Sequence, residues 1–348
     1  MAEISRGSVT TNRFALLLLL IMAAIPGHAI DFVLKDFTTL YKRELGSVRD
    51  CQKQPEHGYR VCSGALRNEG NGPYILHHGR KTDKVVVLFH GLSDSPFYFR
   101  DIAAAIHQQG HNVVVGLLPG HGKKRADADM QDSDLKSRWH EHVATLVDIA
   151  SPLGGSLVLG GFSTGAALSV HHILHHDTSV SGLMLFSGAL KLQDNAEKMA
   201  RIWGSKWLAK IIDGHYQSEG PNPYKYPAVS GYAALVLMDV IFDIREQLEQ
   251  GKSLSMPIFA AHSEADTTTP VDGVKALLAH GTADNTSFIV AEALDVCHAD
   301  VVVSAPMLVS MQFDKSQVED PEPCSIPQSN PVFAQMLATA LNYLDKLQ

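Results

Sequence analysis

The chain has 348 residues, of which 45% are hydrophobic and 19% are charged. This balance is typical of a globular protein with a sizeable core and excludes a largely disordered chain. Its 29 basic and 37 acidic residues give a formal charge of −8, without blocks of Lys or Arg. Such a chain neutralises phosphates poorly, which argues against nucleic-acid binding.

The first 29 residues follow the order of a secretory signal peptide. Arg6 and Arg13 precede an apolar run of 12 residues at 14–25, and Gly27 and Ala29 occupy positions −3 and −1 of a cut after Ala29. A bilayer-spanning helix needs about 20 residues, so an uncleaved membrane anchor is the weaker interpretation. We therefore expect an exported protein, either periplasmic or secreted.

Four cysteines follow the signal: Cys51, Cys62, Cys297 and Cys324. An even number in an exported chain favours disulfides, and four cysteines allow three pairings. Pairing Cys51 with Cys62 and Cys297 with Cys324 is favoured because each pair is close in sequence and flanks a loop-like stretch. Four reduced thiols are the alternative, and the spacings are not those of a zinc site.

Apolar runs alternate with helical patterns along most of the chain. Runs rich in Val, Leu and Ile predict strands buried on both faces, at residues 84–89, 112–117, 156–160, 182–186, 257–261 and 286–290. Helical periodicity predicts helices at residues 99–109, 134–149, 164–176, 271–280 and 331–347. This order predicts an α/β fold with a mostly parallel central sheet flanked by helices, and a functional site at the carboxyl ends of the strands.

Residues 191–254 interrupt the alternation. They contain two helical stretches and no strong strand, which predicts a helical cap over the edge of the sheet. Trp203 and Trp207, in the first stretch, either line an apolar site or only hold the cap together. The other expected units are an N-terminal extension at 30–82 and a core formed by 83–190 and 255–348.

Residues 161–165 read G-F-S-T-G, between a predicted strand and a predicted helix. This motif in a strand–turn–helix context is typical of a nucleophile elbow, in which the serine is exposed at the edge of the sheet. Ser163 is therefore the candidate nucleophile, and it needs a base to take its proton. The alternative is a glycine-rich turn with an idle serine.

An acid and then a histidine follow the serine in the chain order of such sites. Asp266 and His298 lie in the loops after the last two predicted strands. We predict His298 as the base and Asp266 as the group that orients it and stabilises the imidazolium. Glu264 is a rival acid, and Asp295 and Asp300 are weaker rivals. Because the base has to be unprotonated, activity is expected to fall on the acid side with a single apparent ionisation.

Two backbone N–H groups are candidates for stabilising an oxyanion. One belongs to Thr164, the residue after the nucleophile, and the other to Leu92, in the loop after the first predicted strand. Gly91 is expected to let this loop approach the substrate closely. An ordinary strand-end turn at His90-Gly91 is the alternative.

Four histidines follow the elbow: His171, His172, His175 and His176. Their spacing on a helix is compatible with metal binding. However, no acidic residue lies among them, and H-E-x-x-H is absent. We interpret them as histidines on a helix surface and predict no metal site.

These motifs resemble those of α/β-hydrolases of the serine aminopeptidase and monoacylglycerol lipase-like group. The resemblance rests on L-F-H-G-L-S-D-S-P at 88–96, L-P-G-H-G at 118–122, the G-F-S-T-G elbow and the two later loops, and it covers about residue 84 to the C-terminus. It implies the triad Ser163, Asp266 and His298, an oxyanion hole formed by the N–H groups of Leu92 and Thr164, and no cofactor.

Two segments depart from the resemblance, since residues 30–82 and 299–330 are longer than a bare core needs. The second contains Cys324. If Cys297 and Cys324 form a disulfide, it would fix the loop that carries His298. Reducing agent should then lower activity without unfolding the protein.

The predicted function is that of an exported serine hydrolase that cleaves carboxylic esters through an acyl-enzyme. The apolar cap favours a single-chain amphiphile, such as a monoacylglycerol or a lysophospholipid, and is compatible with transient contact with a membrane surface. The alternatives are a small ester or a thioester, less favourably a peptide, and a non-catalytic binding module on the same fold.

Overall fold

The computed structural model describes residues 26–319 and 322–347, so residues 1–25 of the predicted signal peptide lie outside the described residues. The strands are β1 (Val48–Arg49), β2 (Gly58–Arg60), β3 (Cys62–Ser63), β4 (Tyr74–Leu76), β5 (Thr82–Phe89), β6 (Asn112–Gly116), β7 (Gly154–Phe162), β8 (Gly182–Phe186), β9 (Ile258–Ser263) and β10 (Thr286–Val290). The helices are α1 (Pro26–Leu45), α2 (Arg100–Gln108), α3 (Asp127–Met130), α4 (Leu135–Ala150), α5 (Thr164–His175), α6 (Asp194–Ala200), α7 (Ser205–Asp213), α8 (Gly231–Glu249), α9 (Asp272–Ala279), α10 (Ala305–Met311) and α11 (Phe333–Lys346).

Eight strands form the central sheet, in the order β10-β9-β8-β7-β5-β6-β4-β2. The six strands predicted from the sequence are parallel to one another, whereas β4 and β2 are antiparallel additions at one edge. The predicted mostly parallel sheet flanked by helices is therefore confirmed. In such a sheet the loops after β5, β7, β9 and β10 meet at one edge, where the polar side chains of the predicted site lie.

Alternate side chains of the central strands enter two separate apolar layers, as the strand period of two requires. In β5, Val85 and Val87 belong to the layer that contains α4, α5 and α8, whereas Val86 and Leu88 belong to the layer that contains α2 and α11. All four valine and leucine side chains are fully buried. The sheet thus has helices on both faces, which gives the site loops a rigid base.

The segment before β5 is part of the packed structure. Helix α1 presents an apolar stripe to α4, and its buried residues are Ile30, Val33, Phe37, Tyr41 and Leu45. Their spacing of three or four residues is the period of a helix with one buried face. Because β2 and β4 also join the central sheet, this segment is continuous with the core. The domain boundaries expected from the sequence stay a proposal.

The segment between β8 and β9 contains three helices, of which α8 is the longest and packs against α5. The carboxylate of Asp213, at the end of α7, accepts hydrogen bonds from the backbone N–H groups of Gly231 and Tyr232 at the start of α8. The helix dipole favours a carboxylate at this position, so the bonds fix the angle between α7 and α8. None of the helices in the described ranges has the length and apolar character needed to cross a bilayer.

Candidate active site

The G-F-S-T-G motif forms the turn between β7 and α5. Ser163, the one residue between them, has φ 53° and ψ −114°, a conformation that is strained for a side chain with a Cβ. Close packing holds it there: a Cβ on Gly165 would lie 1.9 Å from the carbonyl oxygen of Phe89. The strained turn places the Ser163 side chain at the floor of a cavity.

Ser163, His298 and Asp266 form one hydrogen-bonded chain. The Nε2 atom of His298 lies 2.9 Å from Oγ of Ser163, and its Nδ1 atom lies 2.6 Å from Oδ2 of Asp266. With Nδ1–H donating to the carboxylate, Nε2 is free to accept the serine proton. The structure therefore brings together the three side chains that the sequence singled out, in the order that nucleophilic catalysis needs.

The Asp266 carboxylate is fully buried and ionised. Its Oδ1 atom accepts bonds of 2.9 Å from the backbone N–H groups of Thr268 and Thr269, and its Oδ2 atom accepts a 2.9 Å bond from the hydroxyl of Thr269. Burial by itself raises the pKa of Asp266, but the charge of His298, hydrogen bonds with His262 and His298, and the bond from the Thr269 backbone hold it well below its usual value. Asp266 can therefore orient His298 without taking its proton.

Thr269 and His262 support this acid, and sequence reasoning missed both. The hydroxyl of Thr269 also lies 3.0 Å from Nδ1 of His298. The buried His262 donates from Nε2 to the carbonyl oxygen of Thr269 over 2.7 Å, and the same nitrogen lies 3.4 Å from Asp266. No local motif marks these residues, although His262 lies near the end of β9, the strand that leads to Asp266.

The rival acids point elsewhere. The carboxylate of Glu264 lies against the backbone N–H of Glu292, at 3.4 Å, and that of Asp300 accepts a 3.1 Å bond from the backbone N–H of Gln328. Asp295 is an exposed residue in a turn, with φ 47°. Asp266 is thus the acid that bonds to His298.

The two predicted oxyanion donors lie beside Ser163. Thr164 is the first residue of α5, and Leu92 lines the cavity in the loop after β5. Within the described ranges, neither backbone N–H donates to a protein acceptor. Gly91 is needed for packing within the protein, because a Cβ there would lie 2.8 Å from the Phe162 ring and 2.5 Å from the carboxylate of Asp94. Its close approach to a substrate stays a prediction.

The cavity above Ser163 has a volume of about 450 Å³ and two kinds of wall. Its apolar side is formed by Leu192, Ala196, Val229, Ala234 and Leu237, all from the segment between β8 and β9. Its polar side contains Asp94, Lys225 and Asp300, and Nζ of Lys225 lies 2.6 Å from Oδ1 of Asp94. The arrangement suits a ligand with one apolar end and one polar end.

Asp300 is a second titrating group at this cavity, whereas the sequence predicts that activity depends on one ionisation, that of His298. Burial raises its pKa to about 7, although the hydrogen bond from Gln328 and the charge of Lys225 lower it. Because the pKa of an unfolded aspartate is about 3.9, the folded protein favours protonated Asp300. This contribution to stability is present at low pH and is lost as the pH rises through about 7.

Asp300→Asn is therefore expected to stabilise the protein more at pH 8.5 than at pH 5, by roughly 2 kcal/mol. The amide oxygen of asparagine can still accept the bond from Gln328, so packing is retained. Urea unfolding of both proteins at the two pH values measures the difference. An equal gain at both pH values would show that Asp300 is ionised throughout.

The structure joins Cys51 to Cys62 and Cys297 to Cys324, the pairing that the sequence favoured. The second disulfide borders the cavity, next to His298, whereas the first lies in the segment before β5.

Loss of the Cys297–Cys324 disulfide is expected to lower activity severalfold while the fold persists, because the His298 loop becomes freer. To check this, both cysteines of each pair are replaced by serine, and ester hydrolysis and near-ultraviolet circular dichroism are measured. The variant that lacks the Cys51–Cys62 disulfide is the matched control. Equal losses from both pairs would contradict a local role.

The two tryptophans fulfil neither expectation. Trp203 is 99% exposed and Trp207 is 70% exposed, so they neither line the cavity nor hold the cap together. They project from α7 and the turn before it because smaller residues, such as Ala209, fill the inward face of that helix.

The histidines after the elbow differ from each other. His175 and His176 are exposed, but His171 and His172 are buried, which corrects their interpretation as surface residues. His171 stacks between His140 of α4 and His175, with ring centroids 3.8 and 3.9 Å apart. His171 and His172 are buried because they lie on a part of α5 that α4 and α8 cover.

Comparisons with known proteins add to this geometry. A family model described as serine aminopeptidase, S33, matches residues 80–295, more than half of the chain. A comparison with curated protein sequences gave no match.

Solved structures with a similar fold include lipolytic enzymes and esterases. A structure of the metagenome-derived lipolytic enzymes LipS and LipT has 17% identity and a TM-score of 0.54, and the match covers 76% of this chain and 95% of that one. A thermostable carboxyl esterase from Bacillus coagulans has 13% identity and a TM-score of 0.54, covering 84% and 99%. A monoacylglycerol lipase from Paleococcus ferrophilus has 16% identity and a TM-score of 0.50, covering 75% and 93%. At these identities the likeness bears on the fold alone, and the α/β-hydrolase fold predicted from the sequence is confirmed.

Proposed function

The chain belongs to the S33 serine aminopeptidase family of α/β-hydrolases, and from this premise we propose that it is an exported serine hydrolase that cleaves carboxylic esters. The hydrogen-bonded chain from Ser163 through His298 to Asp266, at the floor of a cavity, is the observation that carries the proposal. Lipases and esterases of similar fold support hydrolysis of esters.

The proposed reaction has two steps. His298 takes the proton of Ser163 as the serine oxygen attacks the ester carbonyl, and the N–H groups of Leu92 and Thr164 stabilise the oxyanion. The tetrahedral intermediate expels the alcohol, which leaves with the proton from His298. A water molecule, activated by His298, then attacks the acyl-enzyme and releases the carboxylic acid.

The cavity walls support a single-chain amphiphile as the substrate. The apolar wall suits an acyl chain, and the polar side, with Asp94, Lys225 and Asp300, suits the hydroxyl-bearing alcohol of a monoacylglycerol or a related lipid ester. A small ester or a thioester is the alternative, because the same nucleophile would attack either carbonyl. A peptide is less favoured, since the carboxylate of Asp94 is already paired with Lys225, and burial raises the pKa of Asp300 to about 7, so that the cavity offers an amine no fully ionised free carboxylate.

Hydrolysis of p-nitrophenyl esters of increasing acyl length tests this proposal, and we expect a maximum at a chain longer than acetate. Ala196→Phe, which narrows the apolar side, should lower kcat/KM for long esters by about tenfold and leave acetate nearly unchanged. Asn195→Phe is the matched control, because Asn195 is exposed on the same helix and does not line the cavity. A maximum at acetate would favour the small-ester alternative, and faster cleavage of leucine p-nitroanilide would favour the peptidase.

Transient contact with a lipid surface is part of the same proposal. An exposed apolar patch covers α6, α7 and the loop before α8, and it consists of Met199, Ile202, Trp203, Trp207, Leu208, Ile211, Ile212 and Val229. Patches of this kind are rare on soluble proteins unless they bind something. Val229 is one of these exposed residues and also lines the cavity above Ser163, which supports entry of a lipid substrate from this side.

The charges around this patch favour a lipid surface with anionic headgroups. Lys198 and Arg201 are exposed, and they outnumber the one exposed acid of α6, Asp194, because Glu197 is bound to Arg245 at 2.7 Å. Sedimentation with phosphatidylcholine vesicles containing phosphatidylglycerol should retain the wild-type protein and not the Trp203→Ser/Trp207→Ser double variant. Val309→Ser removes an equally exposed apolar side chain elsewhere and is the control. Concentration-dependent dimerisation that requires the tryptophans, without vesicle binding, would assign the patch to a second copy instead.

A further inference from the structure

A second cavity of about 760 Å³ lies at the β2 edge of the central sheet. It is enclosed by residues 53–57, β2, β4 and α2, and it shares no lining residue with the cavity above Ser163. Phe97 and Tyr224 stack at its wall with ring centroids 3.6 Å apart. The site is therefore separate from the proposed catalytic chemistry.

Two donors in this cavity have no protein acceptor. The Nε atom of Arg60 and the hydroxyl of Tyr74 are both buried and form no hydrogen bond within the described ranges. Tyr74 as a whole is only 2% exposed. The two residues are direct neighbours across the antiparallel β2–β4 pair, and the Arg60 guanidinium lies 5.3 Å from the centroid of the Tyr74 ring. Buried donors without acceptors are uncommon and costly unless a ligand or water completes them.

Arg60 also has no direct ion-pair partner, although the charge of Glu69 acts on it from a distance. Within the described ranges, no carboxylate oxygen lies within 4.0 Å of its side-chain nitrogens. The nearest acidic lining residue, Glu69, is committed to Arg49 at 2.7 Å and to the backbone N–H of Gln52. Glu56, the other acid of the lining, lies beside His57 and is mostly exposed.

A second guanidinium reinforces this charge. Arg100 lines the same cavity, and its Nε atom pairs with Asp101 at 3.0 Å. Burial holds the pKa of Arg60 below its usual value, with a smaller contribution from the charge of Arg100. Tyr74, Glu69 and Tyr224 act on this pKa in the opposite direction, and the guanidinium stays protonated. An oxyanion beside Arg60 would compensate its charge and accept hydrogen bonds from Arg60 and Tyr74 together.

We propose that this cavity is a binding site for a small organic oxyanion, a carboxylate or a phosphate carried on an apolar body. Arg60 supplies the main charge, the Tyr74 hydroxyl donates a hydrogen bond, and Arg100 lies at the rim. The apolar body is accommodated by Leu76, Phe97 and Tyr224, which line the same cavity. Nothing in the proposed ester hydrolysis requires this site, so the inference stands independently of it.

Isothermal titration of the full chain with inorganic phosphate, phenyl phosphate and benzoate tests the proposal. Phenyl phosphate or benzoate should bind saturably, and more tightly than inorganic phosphate because of the apolar body. Arg60→Gln should weaken binding by about tenfold or more, and Tyr74→Phe by about threefold. Arg43→Gln is the matched control, because Arg43 is exposed on α1 and lies outside the cavity.

The two organic probes separate a carboxylate site from a phosphate site by their relative affinities. If Arg60→Gln fails to fold, Tyr74→Phe, which removes one hydroxyl, decides the question alone. Labelling Ser163 with a fluorophosphonate beforehand should leave the affinities unchanged. The proposal is overturned if none of the three probes binds saturably, or if both variants bind them as well as the wild-type protein does.

Discussion

Replacing His298 with glutamine is expected to lower kcat/KM for ester hydrolysis by roughly 10⁴-fold or more. The imidazole is the group within hydrogen-bond reach of both Ser163 and Asp266, at 2.9 and 2.6 Å, so its loss removes the proton acceptor and isolates the acid. Glutamine fills a similar volume at a partly exposed position, so the fold should persist. Initial rates with p-nitrophenyl butyrate and a thermal unfolding curve measure the two effects.

His176→Gln is the matched control for this substitution, because His176 is an exposed histidine at the end of α5 and does not line the cavity. It should retain nearly all activity. If His298→Gln kept activity within tenfold of the wild-type value, another group would have to be the base.

Replacing Asp266 with asparagine is expected to lower kcat by roughly 10⁴-fold at neutral pH, with a small effect on KM. The Asp266 carboxylate accepts the Nδ1–H of His298. Because its own pKa is held well below the usual value, Asp266 remains ionised, fixes the tautomer of His298 and stabilises the imidazolium. An asparagine keeps Oδ1 as acceptor for Thr268 and Thr269 but offers His298 no negative charge. Steady-state kinetics over a range of pH separates this loss from a binding defect.

Glu264→Gln provides the comparison for the acid, since Glu264 was its rival in the sequence and lies in the same loop. It should change kcat by no more than about twofold, because its carboxylate contacts the backbone of Glu292 and not His298. A large loss from Glu264→Gln together with a small loss from Asp266→Asn would reverse the assignment.

The core of the fold follows from the sequence because most of its strands are buried on both faces, although β10, at the edge of the sheet, is only partly buried. Residues 182–186 and 286–290 were predicted with the bounds that the structure has, and the other core strands differ at their ends by one or two residues. The ends of these strands can be predicted because a strand buried on both faces is a continuous apolar run, and turn residues mark where the run begins and ends.

The edge of the sheet was harder to predict. Strands β2 and β4 have three residues each, and their sequences G-Y-R and Y-I-L are too short to show a period. Pairing decides their structure: β4 pairs with β6, which is distant in sequence, and β2 then pairs with β4. Helix α1 was not predicted, although the sequence contains a signal for it: the spacing of Val33, Phe37 and Tyr41 is that of a buried helical face.

The candidate site likewise contains residues that the sequence identifies and residues that it does not. Ser163, Asp266 and His298 were found because each follows a recognisable strand, and the chain order of the three is informative. Thr269, Lys225 and Asp300 were not assigned their present places, because their contacts depend on how the loops and the segment between β8 and β9 fold over the sheet. The exposure of Trp203 and Trp207 likewise depends on which face of α7 meets α8, and composition does not reveal that.

The central claim is that Ser163 is a nucleophile that carries the acyl group. The most direct measurement is the mass of the intact protein after brief exposure to a fluorophosphonate, followed by peptide mapping, for the wild-type protein and for Ser163→Ala. The account predicts one covalent adduct, located on Ser163 and absent from the variant, together with the loss of ester hydrolysis in both the labelled protein and the variant. An unlabelled Ser163 in a folded protein, or full ester hydrolysis by Ser163→Ala, would contradict it.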